Sequence, residues 1–296
     1  MSDHSLSPAS SPVAGTGSDR ELSLGFSPCP NDTFIFNALV HGVVACDGYR
    51  FRERLEDVET LNRLVLARAL DISKISYHLL GFIRDDYVVL RSGGALGRGC
   101  GPLLVARQPL SPEALRGKPI AVPGRYTTAC LLLRLFDPAL DNLVFMPFHE
   151  IMGAVGRGEV AAGVIIHESR FTFADYGLVR LLDLGEWWER DSGCPIPLGG
   201  IVMRRALGTE VVTAVERALR SSVQYAFDHP EAANGYVRAH SQELSDEVCA
   251  AHIDLYVNPF SLALGPEGES AVETLLGRAE KAGLIPPSTH SIFLPS

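Results

Sequence analysis

Residues 22–42 constrain the fold more than any other stretch of this chain. A short alternating strand, Leu22-Ser23-Leu24-Gly25-Phe26, runs through Ser27-Pro28-Cys29-Pro30-Asn31-Asp32-Thr33 into an apolar helical run, Phe34 to Val40. So short a passage from strand to helix belongs to an α/β fold, and open α/β sheets bind ligands at such strand ends. Pro28 and Pro30 stiffen the loop and withhold two backbone donors. Asn31 or Asp32 is expected to cap a helix starting near Thr33, and the amides left over at that N-terminus favour an anion. Ser27, Asn31 and Asp32 are therefore candidate cleft residues, with a ligand-free turn as the competing reading.

Strand and helix signals keep alternating downstream. Asp57 is placed to cap a helix whose apolar positions Val58, Leu61, Leu64 and Val65 fall at helical spacing. Residues 71–76 read as a strand running into a helix at Tyr77-His78, and residues 87–90 as a strand leading to a glycine-dense loop, 93–101. Further strands are expected near 102–107, 119–122, 143–146, 161–166 and 200–204, and from Thr209 onward the pattern is helical. A chain of 296 residues suits two modest lobes better than one core. Crossings near 101–107 and 199–205 divide it into a discontinuous first lobe, 21–105 plus 201–296, and a second lobe, 106–200, with a ligand cleft between them.

Several function classes are disfavoured. A net charge of −9 argues against a general nucleic-acid surface. No apolar run approaches the roughly 20 residues that span a bilayer. The first twenty residues are rich in Ser, Pro and Gly and read as a disordered leader without the apolar core of a secretory signal. The cysteines show no C-x-x-C pair and no metal spacing, so reduced thiols in a cytoplasmic protein, and no metal, are expected. The 93–101 loop has neither G-x-G-x-x-G nor G-K-[ST], so it is no dinucleotide or P-loop fingerprint. A small-molecule substrate remains.

Candidate chemistry concentrates at strand ends. His167 stands where the apolar run Val164-Ile165-Ile166 stops, and an imidazole can accept a proton near neutrality. Glu168, next on an extended chain, is expected to point the other way. His149 and His78 are rivals on position alone, and a histidine that merely ends a strand is the bland reading. Thr127-Thr128 open a helix with hydroxyls and free amides suited to a carboxylate or sugar hydroxyls, or simply cap it. Lys74-Ile75-Ser76 put one of three lysines at a strand end, where an ammonium and a hydroxyl can meet a carboxylate; an edge-strand surface lysine is the alternative. Cys29 lacks a sequence-adjacent histidine, and Trp187-Trp188 suit rim or core packing.

Four words carry a resemblance: S-P-C-P-N-D-T-F-I-F at 27–36, L-E-D-V-E-T-L-N-R at 55–63, L-R-S-G-G-A-L-G-R-G at 90–99 and I-I-H-E-S-R-F at 165–171. Together they resemble the 1,4-dihydroxy-6-naphthoate synthases of the futalosine route to menaquinone, over about residues 22–290. The resemblance implies a type II periplasmic-binding-protein-like fold and a cofactor-free lyase acting on cyclic de-hypoxanthine futalosine. It implies His167 as the catalytic base and favours Thr127 and Thr128 as ligand contacts, beside which Lys74, Ile75 and Ser76 stand as substrate-binding candidates on their own chemistry. Chorismate dehydratase of the same route and an exported solute-binding protein are the alternatives.

Overall fold

The computed structural model describes residues 19–241 and 245–295, so nearly all of the expected leader lies outside the described residues. The chain opens with β1 (Arg20–Phe26), α1 (Pro30–Val40), β2 (Tyr49–Leu55), α2 (Val58–Leu66), β3 (Ile72–Ser76), α3 (Tyr77–Ile83) and β4 (Tyr87–Gly97). Next come β5 (Leu103–Ala106), β6 (Ile120–Val122), α4 (Thr128–Phe136), β7 (Leu143–Phe145), α5 (Phe148–Arg157) and β8 (Ala162–Ile165). A short α6 (Ser169–Thr172), β9 (Val179–Asp183), α7 (Leu184–Ser192) and β10 (Ile196–Arg204) follow. The remainder is helical: α8 (Thr209–Asp228), α9 (Asn234–His240), α10 (Asp246–Tyr256), α11 (Pro259–Leu262) and α12 (Gly265–Lys281).

Two five-stranded sheets share one topology. The first runs β2-β1-β3-β10-β4 and the second β7-β6-β8-β5-β9. In each, three parallel strands are followed by one antiparallel strand arriving from elsewhere in the chain: β10 against β3 and β4, and β5 against β8 and β9. The chain leaves the first sheet after Gly97 and rejoins it at Ile196. Close approach at this crossing needs glycine, because a Cβ on Gly101 would sit 2.3 Å from the Gly185 backbone.

β8 shows why these sequences become buried strands. Val164 packs in a cluster with Leu104, Ile120 and Trp188, while Ile165 joins Ile151 and Val155 of α5 on the other face. The continuous apolar run is therefore buried on both sides. α8 covers the first sheet with Val211, Val215, Leu219 and Val223, a stripe at four-residue spacing. Trp188 is fully buried and donates its indole N–H to the Pro195 carbonyl, so it packs the core rather than a cleft wall.

Some local expectations are corrected. α1 begins at Pro30, and its N-cap Cys29 makes no side-chain capping bond. Proline pre-sets the first helical φ, and the Asp32 carboxylate is engaged elsewhere, so neither Asn31 nor Asp32 caps. The glycine-dense 93–101 segment is not a loop throughout, because β4 continues to Gly97. Gly93 has φ +80°, and a Cβ there would meet Ile201 at 2.7 Å, so glycine lets the strand pass β10 where their register shifts. β10 begins at Ile196 rather than Gly200.

Candidate active site

The carboxyl ends of β1, β3, β6 and β8 converge on one cleft between the two sheets, the place where such sheets bind small ligands. Ser27, Asn31 and Asp32 line it from the β1–α1 passage, and Lys74, Ile75 and Ser76 from the end of β3. Thr127 and Thr128 enter from the start of α4, and His167 from the end of β8. All nine sequence-selected residues thus meet in one place. His149 is exposed, and neither it nor His78 lines the cleft. His78 is buried beside the Thr127 carbonyl, and burial pushes its imidazole down to about 4.

Asp32 organises the floor. One carboxylate oxygen accepts from Lys74 Nζ at 2.8 Å and from the Asn31 side chain at 2.8 Å. The other accepts from the Ser27 hydroxyl at 2.8 Å and the Ser27 amide at 3.2 Å. Lys74 also donates to the Gly93 carbonyl at 3.3 Å, and its side chain is only 7% exposed. The lysine is therefore neither on an edge strand nor unpaired; β3 is internal to its sheet, and Lys74 meets the cleft already neutralised by Asp32.

Buried polar residues of α2 fix the walls. Asn62 accepts from the Ser76 amide at 3.0 Å and donates to the Ser76 hydroxyl at 3.2 Å. Glu59 accepts from the Arg125 and Tyr126 amides at 3.0 and 3.2 Å, so a helix beside the first sheet grips the loop that delivers Thr127 from the second. Burial raises the Glu59 carboxyl above its ordinary value against these stabilising bonds. The L-E-D-V-E-T-L-N-R segment holds the site although neither residue lines the cleft.

Thr127 both caps α4, accepting from the Cys130 amide at 3.3 Å, and lines the cleft. Thr128 donates to the Leu198 carbonyl at 2.6 Å, tying α4 to β10. The Thr128 and Ala129 amides have no hydrogen bond among the described residues, and both residues line the cleft. The helix start thus keeps donors for an anion. Thr128→Val is expected to raise KM about tenfold with little change in kcat, through the stranded Leu198 carbonyl and a displaced α4 start. Steady-state kinetics checks this, and a fall in kcat alone would place Thr128 at the reacting atoms instead.

His167 sits at φ +56°, left-handed backbone that is uncommon outside glycine. This turn overturns the expectation that Glu168 points away on an extended strand. The chain folds back at His167, and Glu168 stays buried at 6% exposure, close to it. Burial lowers the His167 imidazole below its ordinary value, against the opposing pull of the Glu168 and Asp32 carboxylates, so the ring is neutral near pH 7. Its Nδ1 lies 3.7 Å from Cys29 Sγ, and its ring is 5.1 Å from that of Phe148. Cys29, His167 and Glu168 place one ligand atom each within 4.8 Å of one another. Burial raises the Cys29 thiol well above its usual range, so it stays a thiol beside the imidazole.

His252 and Tyr256, four residues apart on α10, also line the cleft, as do Cys100 and Leu198. Sequence reasoning missed them. The only local signal was a His and a Tyr on one helical face, which core packing produces equally well.

The sequence profile of the family described as "Menaquinone biosynthesis" matches residues 22–281. This chain belongs to that family. A member from Thermus thermophilus named 1,4-dihydroxy-6-naphthoate synthase is 55% identical over 273 residues, covering 92% of this chain and 99% of the relative. A crystal structure of a protein from Archaeoglobus fulgidus superposes with a TM-score of 0.83 at 38% identity, over 90% of this chain and 98% of that one. The alkanesulfonate-binding protein of Xanthomonas axonopodis superposes with a TM-score of 0.68 at 15% identity, over 92% and 96% of the two chains. That likeness shows the fold alone: this member of the menaquinone biosynthesis family has a periplasmic-binding-protein-like architecture. Among the described residues no helix is long and apolar enough to cross a membrane.

Proposed function

We propose that this protein is a 1,4-dihydroxy-6-naphthoate synthase, a lyase that converts cyclic de-hypoxanthine futalosine to 1,4-dihydroxy-6-naphthoate with release of dihydroxyacetone. The observation that carries the reading is a histidine at a strand end, facing a cleft whose far side offers helix-start amides. His167 removes a substrate proton as general base. The carbon–carbon bond then breaks and the new ring becomes aromatic. Aromatisation supplies the driving force and the overall change is redox-neutral, so the reaction calls for no cofactor. The α4 amides and the Ser76 hydroxyl hold the substrate carboxylate or hydroxyls, while the Lys74–Asp32 pair shapes the floor. The first lobe, 21–105 with 201–296, and the second, 106–200, close over the substrate to exclude water.

Incubation with the cyclic futalosine derivative and, separately, with chorismate tests this by product mass. Naphthoate from the first alone supports the reading. Loss of water from chorismate would make the protein a chorismate dehydratase, and binding without turnover a solute-binding protein. Turnover is expected to persist in EDTA; activity lost on chelation and restored by one metal would overturn the cofactor-free mechanism.

A further inference from the structure

We propose that Glu168 and His252 form a carboxylate–imidazole pair, the second proton-transfer group of the cleft, with His252 touching substrate and Glu168 positioning it. The inference rests on the lyase reading above and adds a residue contributed by α10, far along the chain from His167. His252 is 1% exposed yet lines the cleft, and its ring stacks near that of His167, with centroids 6.0 Å apart and planes inclined by 26°. The Tyr256 ring lies 4.6 Å from the His252 ring, tilted by 56°.

The ring's Nδ1 has no hydrogen-bond partner among the described residues. A buried, unpaired ring nitrogen is costly, and native structures satisfy such groups. The Glu168 carboxylate stands opposite it, with Oε2 3.9 Å away. A shift of about 1 Å, small for a two-lobe cleft closing on a ligand, makes this a charge-assisted Nδ1–H···O bond. That bond fixes the tautomer. With Nδ1 protonated, Nε2 carries the lone pair and can accept a proton, the same logic by which a carboxylate orients the histidine of a hydrolytic triad.

Cleavage of a carbon–carbon bond beside a hydroxyl needs a proton taken from oxygen, separate from any proton that His167 takes from carbon. In the step assigned to His252, Nε2 takes the hydroxyl proton and the C–O bond becomes a carbonyl. The C–C bond breaks, its electron pair passes to a carbon next to a carbonyl as an enolate, and the imidazolium returns the proton to that fragment. Atoms and charge balance without an oxidant or co-reactant.

Two experiments decide it. In kinetics with the cyclic futalosine derivative, His252→Phe, which keeps ring packing beside Tyr256, is expected to lower kcat about 10²-fold with KM within about threefold. Glu168→Gln is expected to lower kcat about tenfold in the wild-type background and to have little further effect in His252→Phe, because Glu168 acts through that ring. Near-normal turnover by His252→Phe, or an undiminished Glu168→Gln loss in its background, overturns the pair. The second readout needs no turnover: imidazole nitrogen NMR of the wild-type protein saturated with 1,4-dihydroxy-6-naphthoate is expected to show the Nδ1–H tautomer of His252, lost in Glu168→Gln. The Nε2–H tautomer in the wild-type complex overturns the pairing even if the substrate assignment stands. Absence of turnover with the Nδ1–H tautomer present would overturn the substrate assignment, and with it the catalytic role, but not the pairing.

Discussion

His167→Asn is expected to lower kcat by about 10²–10⁴-fold while the protein stays folded. Asparagine is the informative replacement because of the backbone. His167 occupies left-handed φ/ψ space, which asparagine tolerates better than alanine or a β-branched residue, so strain does not confound the result. Asparagine keeps polarity near Cys29 but cannot take up a proton in this pH range. The pH profile gives a second check. A base must be unprotonated to act, so kcat/KM falls as pH drops through the His167 pKa. Burial depresses that pKa, so the acid limb should lie below the ordinary histidine value of about 6.5 and shift in the variant, where His167 no longer contributes to it. A folded His167→Asn protein with near-normal turnover would remove this residue as the base. His252 would then be the next candidate, since His149 is exposed and His78 lies outside the cleft.

Much of the site was legible because its residues sit where strands stop, and strand ends are readable from apolar runs. Val164-Ile165-Ile166 marked His167 as a strand-end residue, which the family resemblance then singled out, and the 71–76 pattern placed Lys74 on a strand that reaches the cleft. What a strand end does not reveal is the next backbone turn. The left-handed step at His167 keeps Glu168 buried close beside it, and no local pattern announced it. The partner of Lys74 was equally hidden, because Asp32 looked like a helix cap until the Pro30 start and the Ser27 contacts placed its carboxylate. His252 comes from a helix more than eighty residues away, and only tertiary folding brings it beside His167. Glycines misled in one place: the run at 93–97 read as a loop, but there the missing Cβ lets β4 pass β10.

The Lys74–Asp32 pair is expected to dominate the stability of the cleft floor. Its side chains are 7% and 2% exposed and the charges meet at 2.8 Å, so solvent screening offers little relief when one partner is lost. Asp32→Asn leaves a buried ammonium without its counter-charge and weakens the contacts to Ser27 and Asn31. It should cost about 3–5 kcal/mol of unfolding free energy, and Lys74→Met a comparable amount for the stranded carboxylate. Removing both charges at once, as in Asp32→Leu with Lys74→Met, should recover much of that loss, because two apolar side chains avoid the desolvation that an unpaired ion suffers. Activity should not recover with stability, since both residues line the cleft and the double variant gives it an apolar floor. Urea unfolding of the three variants, read beside turnover, separates the two effects. Single variants each losing under about 1 kcal/mol would mean that the pair behaves like an exposed ion pair and does not hold the floor together.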